Sequence, residues 1–417
     1  MVYVLNQNRQ PLMPCKEAKA RKLLRYKRAE VAKRTPFTIR LLWNCENNTQ
    51  PIALGIDAGS KIIGLSATTE KKELYSAEVV LRNDIVDLLS TRRENRRTRR
   101  NRLRHRKARF NNRVSTKHKG WIAPSISQKI QTHLKVVENV VKLLPITKIV
   151  IETASFDIQK IKNPDISGEE YQQGNQLGFW NVREYVLFRD GHECQCCHGK
   201  SKDKILNVHH IESRKTGGNA PNNLITLCET CHKGYHNGLI KLPKIIKRGV
   251  SFKDAAFIGI MRWIFYDELK NCYLNVCMTF GYITKYARIK HGLPKHHYVD
   301  ARCISGNPDV EPLGYYFYQK KVRCHNRQIH KNNLLNGGKK KLNQAPYLVH
   351  GFRLFDKVVY EGETGFIFGR RTSGYFDIRK LDGTIIHRSA SYKKIMLEET
   401  RKSFLTERRM QELELAV

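Results

Sequence analysis

Two cysteine pairs constrain this chain more than any other feature. Cys194 and Cys197 form one C-x2-C step, Cys228 and Cys231 a second, in the order C-x2-C-x30-C-x2-C. Two such knuckles offer four thiolates to one tetrahedral ion, which suits zinc and leaves no ligand position for a substrate. Cys196 and His198 lie close enough in sequence to exchange with the first pair. The other cysteines (Cys15, Cys45, Cys196, Cys272, Cys277, Cys303 and Cys324) have no framework spacing. That pattern fits a reducing compartment and one structural metal site, not a disulfide scaffold.

The charge narrows the partners. Lys and Arg number 76 against 38 Asp and Glu, a formal net charge of +38. Such a field repels itself and calls for a polyanion. No apolar run approaches the ~20 residues that span a bilayer, and Met1–Leu5 turns polar too soon for a signal peptide. Nucleic acid is the expected partner, with no membrane. An apolar fraction of 40% over 417 residues allows about two to four compact units.

Residues 92–113 concentrate the charge, with twelve Lys or Arg and one Glu. Gly and Pro are absent and Arg favours helix, so one helix is predicted. Its like charges at i,i+4 repel, and phosphates laid along it would relieve them with a salt-dependent gain. Arg96, Arg97, Arg99, Arg100, Arg104 and Arg109 are the candidate RNA contacts. A disordered basic arm is the alternative.

Around it the pattern alternates. Met1–Leu5 reads as a strand, Pro11–Pro14 as a turn, Cys15–Val31 as a helix and Thr38–Trp43 as a strand. Residues 52–69 read as a β-hairpin. Apolar spacing predicts a helix over Ser125–Leu144, ended by Pro145, and a short strand over Lys148–Glu152. Residues 160–176 read as a linker. Phe252–Leu269 reads as a helix, Val276–Thr279 as a strand, and a helix begins near His297. From about Gly314 the chain turns β-rich (Lys357–Tyr360, Thr364–Phe368, Tyr375–Arg379, Thr384–His387), suggesting a small barrel.

Between the cysteine pairs, Val208-His209-His210-Ile211 reads as a strand sending its two histidines to opposite faces. Asn223 follows, then His232 and His236 on one helical face at i,i+4. This resembles the HNH endonuclease motif, a ββα fold around one divalent metal. The resemblance implies that His209 and His232 hold the metal, with His236 assisting. It further implies that His210 deprotonates the attacking water and Asn223 holds the strand that orients it. The chemistry is reasonable, since a near-neutral imidazole is a suitable general base and a metal offsets charge on the phosphodiester.

Three acids end strands or open helices elsewhere: Asp57 in "LGIDAGS", Glu152 in "KIVIETASFD" and Asp300 in "HHYVDARC". Together they resemble a split RuvC nuclease, an RNase H-like fold whose carboxylates converge on two Mg2+ ions, hard cations that prefer oxygen ligands. His297, one helical turn before Asp300, is the expected proton shuttle or water-positioning group. Ala58 departs from the Pro that many relatives carry there, which alters turn rigidity and no ligand.

The order of these parts, with "PLMP" at 11–14, "ARFNNR" at 108–113 and "HGLPKHHYVDA" at 291–301, is similar to that of the IscB family, compact relatives of type II CRISPR effectors. The implied fold is a multidomain α/β protein. It has a split RNase H-like (RuvC) core, an Arg-rich bridge helix, an inserted ββα-metal HNH domain and a small C-terminal β-barrel-like domain. The expected boundaries are a PLMP domain at 1–51, RuvC segments at 52–91, 114–178 and 251–313, the bridge helix at 92–113, the HNH domain at 179–250 and a C-terminal domain at 314–417. About 65 residues between bridge helix and HNH domain leave no room for a large recognition lobe. The family implies an RNA-guided DNA endonuclease, in which a structured guide RNA and protein together read a double-stranded target with a short flanking motif. HNH would cut the guide-paired strand and RuvC the displaced one. Mg2+ is expected at both centres and Zn2+ on the cysteines, in a monomeric, cytoplasmic ribonucleoprotein. The C-terminal region, with Arg370-Arg371 and Lys339–Lys341, would contact the flanking motif and RNA. The alternatives are a homing-type DNA endonuclease that reads sequence by protein contacts alone, and a non-cutting RNA-binding protein.

Overall fold

The structure is a computed structural model; it describes residues 1–103, 121–152, 182–212, 220–243, 246, 253–324 and 346–411. The chain divides into two compact units, Met1–Ala154 with Ile260–Val417, and Ser155–Gly259. It is a mixed α/β, multidomain protein.

The first unit begins with β1 (Val2–Leu5), β2 (Pro11–Cys15), α1 (Glu17–Arg25), β3 (Ala29–Lys33) and β4 (Thr38–Leu41), whose sheet runs β2-β1-β4-β3. Two expectations change here. The Pro11–Pro14 stretch is strand and not turn, because β2 is an edge, where a residue without N–H costs no ladder bond. The helix predicted over Cys15–Val31 stops at Arg25. Lys27 takes a left-handed backbone with φ 52°, and β3 then pairs Val31 with Ile39 on β4. Tyr3 ties this sheet to the core by donating its hydroxyl to the Leu74 carbonyl at 3.0 Å.

The core is a seven-stranded sheet. β5 (Ala53–Ala58), β6 (Ile62–Thr68) and β7 (Glu73–Val80) form an antiparallel meander. The sequence pattern gave the first hairpin and left β7 unassigned. After α2 (Ile85–Leu103) and α3 (Pro124–Val141), β8 (Lys148–Glu152) returns parallel to β5. α3 buries Ile130, Val137 and Val140, as its apolar spacing predicts, and also His133 and Val136, which that spacing did not include. The Arg-rich run lies on α2 as far as Leu103; residues 104–113, with Arg104 and Arg109, lie outside the described residues.

Beyond the second unit, α6 (Lys253–Cys272) leads to β11 (Val276–Thr279), α7 (Gly281–Lys290), α8 (His297–Ile304) and β12 (Tyr315–Lys321). The predicted strand and helix start at 276 and 297 are found at those residues. β11 pairs parallel with β8, so the whole second unit is inserted between two neighbouring strands of one sheet. With β18 (Phe404–Met410) at the far edge, the order is β11-β8-β5-β6-β7-β12-β18.

α8 lies on β5 and β6 at a distance that only glycine permits. A Cβ on Gly55 would fall 1.9 Å from the Ala301 carbonyl oxygen, and one on Gly64 2.0 Å from that of His297. Those two glycines let the N-terminus of α8 descend to the level of Asp57.

The remaining strands, β13 (Lys357–Tyr360), β14 (Glu363–Arg370), β15 (Tyr375–Arg379), β16 (Ile385–Ser391) and β17 (Ile395–Glu399), form an antiparallel sheet in the order β16-β15-β14-β13-β17. Among the described residues β16 and β17 do not pair, so this sheet is open where a barrel was expected. Its core is Val358, Tyr360, Ile367, Phe376, Ile378 and Ala390. β12 and β18 fall within 314–417 yet belong to the core sheet.

The second unit holds α4 (Val182–Arg189), the antiparallel hairpin β9 (Leu206–His210) and β10 (Leu224–Cys228), and α5 (Glu229–His236). The end of α4 grips the hairpin. Arg189 donates to the Pro221 and Leu224 carbonyls, both at 2.8 Å, and Asp190 Oδ2 accepts the Thr226 N–H at 2.8 Å.

Candidate metal centres

Among the described residues, two groups of side chains bring three or more ligand atoms within 4.8 Å of one another: Cys194, Cys197, Cys228 and Cys231, and His209, His232 and His236. All four predicted zinc ligands are therefore together. Cys228 caps α5, its sulfur accepting from the Cys231 N–H at 3.4 Å. Burial pushes the Cys194 and Cys231 thiols up, whereas hydrogen bonds from Ser201 bring Cys197 down to about 6. Buried thiols ionise only against a cation, and four sulfurs around one point fit zinc. The cluster shares its core with Ile225 and Leu227 of β10, so the sulfurs brace the hairpin that carries the histidines.

β9 sends its two histidines to opposite faces, as strand pleating dictates. His209 is buried and meets α5, with ring centroids 5.3 Å from His232 and 5.2 Å from His236; those two lie 4.6 Å apart. Burial, then His232 and His236, push His209 down to about 4; burial, then His236, lower His232. Neutral imidazoles with free lone pairs are what a divalent ion requires. His209 Nε2 is buried with no hydrogen-bond partner, a cost that a bound cation would remove. The three rings fit a divalent ion, and His236 belongs to the set as fully as His232. Tyr235, which the sequence did not single out, packs edge-on to His209 at 4.7 Å.

Asn223 is completely buried just before β10. Its Oδ1 accepts the Glu212 N–H at 2.9 Å, its Nδ2 donates to the Glu212 carbonyl at 3.0 Å, and its own carbonyl accepts the Ile211 N–H at 2.9 Å. It pins the backbone immediately after His210. Asp203, also unpredicted, holds the start of α5 by accepting from the Thr230 N–H at 2.8 Å and hydroxyl at 3.0 Å.

The acids of the first unit meet at one end of the core sheet. Parallel pairing of Ile56 with Ile151 sets Asp57 level with Glu152. Asp57 Oδ2 lies 2.6 Å from His297 Nδ1, and Asp300 Oδ1 lies 3.1 Å from Arg288 Nε on α7. Burial raises Glu152 and Asp300; Asp57 raises both further, while Thr284 and Arg288 oppose the rise at each in turn. His297 is raised, chiefly by its hydrogen bond to Asp57. These acids repel one another, and they are not among the groups whose ligand atoms lie within 4.8 Å of one another. Glu78 completes the row: its Oε1 accepts the His297 N–H at 3.0 Å. Cross-strand register places it level with Asp57, two strands away across Gly64. Only the alternation of β7 could have signalled Glu78, and nothing in the pattern singled out Arg288.

On the open sheet, Arg370, Arg371, Arg379 and Arg388 line a cavity of about 530 Å³ with Asp377. Lys339–Lys341 lie outside the described residues. No helix among the described residues is long and apolar enough to cross a membrane.

Residues 2–174 match the model of a family described as RRXRR protein, and residues 194–238 match that of the HNH endonuclease. Arg96-Arg97-Thr98-Arg99-Arg100, inside the first match, spells that family's name. No curated protein matches the chain. Among solved structures, Streptococcus thermophilus Cas9 in complex with AGGA PAM is similar at 12% identity and TM-score 0.33, covering 50% of this chain and 30% of the Cas9 chain. The same protein with the GGAA PAM gives 14%, 0.35, 51% and 30%. This chain thus spans under a third of the Cas9 length. The HNH match, residues 194–238, is the segment that holds both the cysteine and the imidazole clusters.

Proposed function

We propose that the chain is an RNA-guided DNA endonuclease of IscB-like organisation, with one cutting centre in each unit and a double-strand break as product. The observation that carries the nuclease reading is the meeting of His209, His232 and His236 beside an Asn223-pinned His210, within the HNH match. The RNA-guided reading draws its support from layout. An Arg-rich helix joins two parts of the carboxylate sheet, and the HNH unit interrupts that sheet between β8 and β11. Protein-only recognition gives no reason for such a helix.

In the imidazole centre, His209 and His232, with His236, would hold a divalent ion. His210, on the other face of β9, takes a proton from the attacking water, and Asn223 fixes the backbone that aims it. In the carboxylate centre, Asp57, Glu152 and Asp300 would hold Mg2+, with His297 positioning water or moving a proton beside Asp57. A bound divalent cation supplies charge neutralisation at the phosphodiester in both centres. The imidazole centre is assigned to the guide-paired strand and the carboxylate centre to the displaced strand. Guide RNA packs along residues 92–113, and the Arg370/Arg371/Arg379/Arg388 cavity faces a phosphate or base edge of the flanking DNA.

The test is to purify the protein with its RNA, sequence that RNA, and offer duplexes complementary to its variable end with a different label on each strand. Cutting of both strands only with RNA and Mg2+ present is the expected result. Equal cutting after the RNA is digested away overturns RNA guidance.

A further inference from the structure

Two side chains one turn apart on α3 both reach the loop that follows Asp57. Lys129 Nζ donates to the Ser60 carbonyl at 2.6 Å, and His133 Nε2 lies 3.2 Å from the Gly59 carbonyl oxygen. His133 is fully buried and sits edge-on to Phe265, with ring centroids 5.4 Å apart. Its Nδ1 faces the Lys129 carbonyl at 2.8 Å. Burial holds the ring neutral, with its pKa pushed down to about 4. A neutral imidazole carries one N–H, so the ring donates to the Gly59 carbonyl in its Nε2–H tautomer, with the Lys129 carbonyl then facing an unprotonated Nδ1. The loop it grips is tight: the Gly59 N–H donates to the Asp57 carbonyl at 3.1 Å, and a Cβ on Gly59 would fall 2.2 Å from the Ile62 carbonyl oxygen.

We propose that Lys129 and His133 form a clamp that positions Asp57 through the carbonyls of Gly59 and Ser60. The inference rests on the reading of Asp57 as a metal ligand of a cutting centre. Neither side chain touches the reacting atoms. Slack in residues 58–61 swings the Asp57 carboxylate away from Glu152 and Asp300, and a misplacement of about 1 Å costs on the order of a hundredfold in rate.

The experiment uses the protein with its co-purified RNA, strand-specific labels and a Mg2+ titration, with thermal denaturation alongside. His133→Phe keeps the ring and its contact with Phe265 and removes both nitrogens. His133→Gln returns an amide donor. Lys129→Met keeps the stem and removes the ammonium. Expected are a rise of about tenfold or more in the Mg2+ needed for half-maximal cutting by the carboxylate centre in His133→Phe and Lys129→Met, substantial recovery in His133→Gln, and unchanged cutting by the imidazole centre. A folded His133→Phe with wild-type Mg2+ dependence overturns the clamp. Should that variant fail to fold, Lys129→Met decides by the same two outcomes. If Asp57→Ala leaves both cuts intact, the carboxylate reading fails and the clamp falls with it. If Asp57→Ala abolishes one cut that the folded clamp variants keep at wild-type Mg2+, the clamp alone is wrong.

Discussion

Removing the Asn223 carboxamide tests whether a backbone pin, remote from the ion, sets the output of the imidazole centre. Asn223→Ala deletes two hydrogen bonds to Glu212, at 2.9 and 3.0 Å, and leaves the main-chain bond to Ile211 in place. Each neutral bond contributes about 0.5–1.5 kcal/mol net. Glu212 is exposed, so its freed backbone groups can turn to water and no full desolvation penalty follows. The pinned arrangement therefore loses roughly 1–3 kcal/mol, and cutting by this centre falls by at most the corresponding factor, about 5 to 150. Asn223→Asp should be worse. It keeps the acceptor for the Glu212 N–H, but faces the Glu212 carbonyl with a second oxygen and buries a charge. The assay is single-turnover cleavage of a duplex labelled differently on each strand, with zinc content measured on the same samples. Expected are a slowed guide-paired cut, an unchanged displaced-strand cut and unchanged zinc. Wild-type rates on both strands in Asn223→Ala would refute the reasoning. So would loss of zinc, which would mean that the module had unfolded and not merely loosened.

Asp57→Ala and His210→Ala should each give a nickase, sparing opposite strands, and the double variant should bind guide and target without cutting; a single variant that still cuts both strands breaks the two-centre reading. Elemental analysis should find one zinc per chain. Cys228→Ser should lose it together with the guide-paired cut, and a zinc-free protein cutting both strands would contradict this. Replacing Arg96, Arg97, Arg99 and Arg100 with Gln should shrink the log–log salt slope of RNA binding by roughly 0.7–0.9 per lost phosphate contact; an unchanged slope places the helix away from RNA. Burial holds the His133 pKa at about 4, below the ordinary ~6.5 of an unfolded chain. Its neutral form therefore favours the fold above the unfolded pKa, and that contribution, roughly 3 kcal/mol at full protonation, is lost as pH falls toward 4. Acid denaturation should be less steep over that window in His133→Phe, as chemical denaturation at stepped pH would show.

The sequence was most legible where chemistry fixes spacing. Two C-x2-C knuckles, a His pair on a strand and His232/His236 one turn apart leave few ways to fold, and the structure brings each set together. His236 was read as an assistant because periodicity shows that it shares a face with His232 without showing that His209 reaches both. Legibility fell where a residue acts through its partner. Glu78, Arg288 and Asp190 look like ordinary surface charges until pairing places them beside His297, Asp300 and Thr226. The N-terminal errors have the same origin. "PLMP" has turn composition, and only its edge position makes it a strand; the basic run after Cys15 has helix composition, and only pairing with β4 ends the helix at Arg25. A glycine inside a strand ordinarily weakens it. Gly55 and Gly64 are instead what lets α8 pack so close to β5 and β6, because a side chain at either would lift α8, and with it His297 and Asp300, away from Asp57.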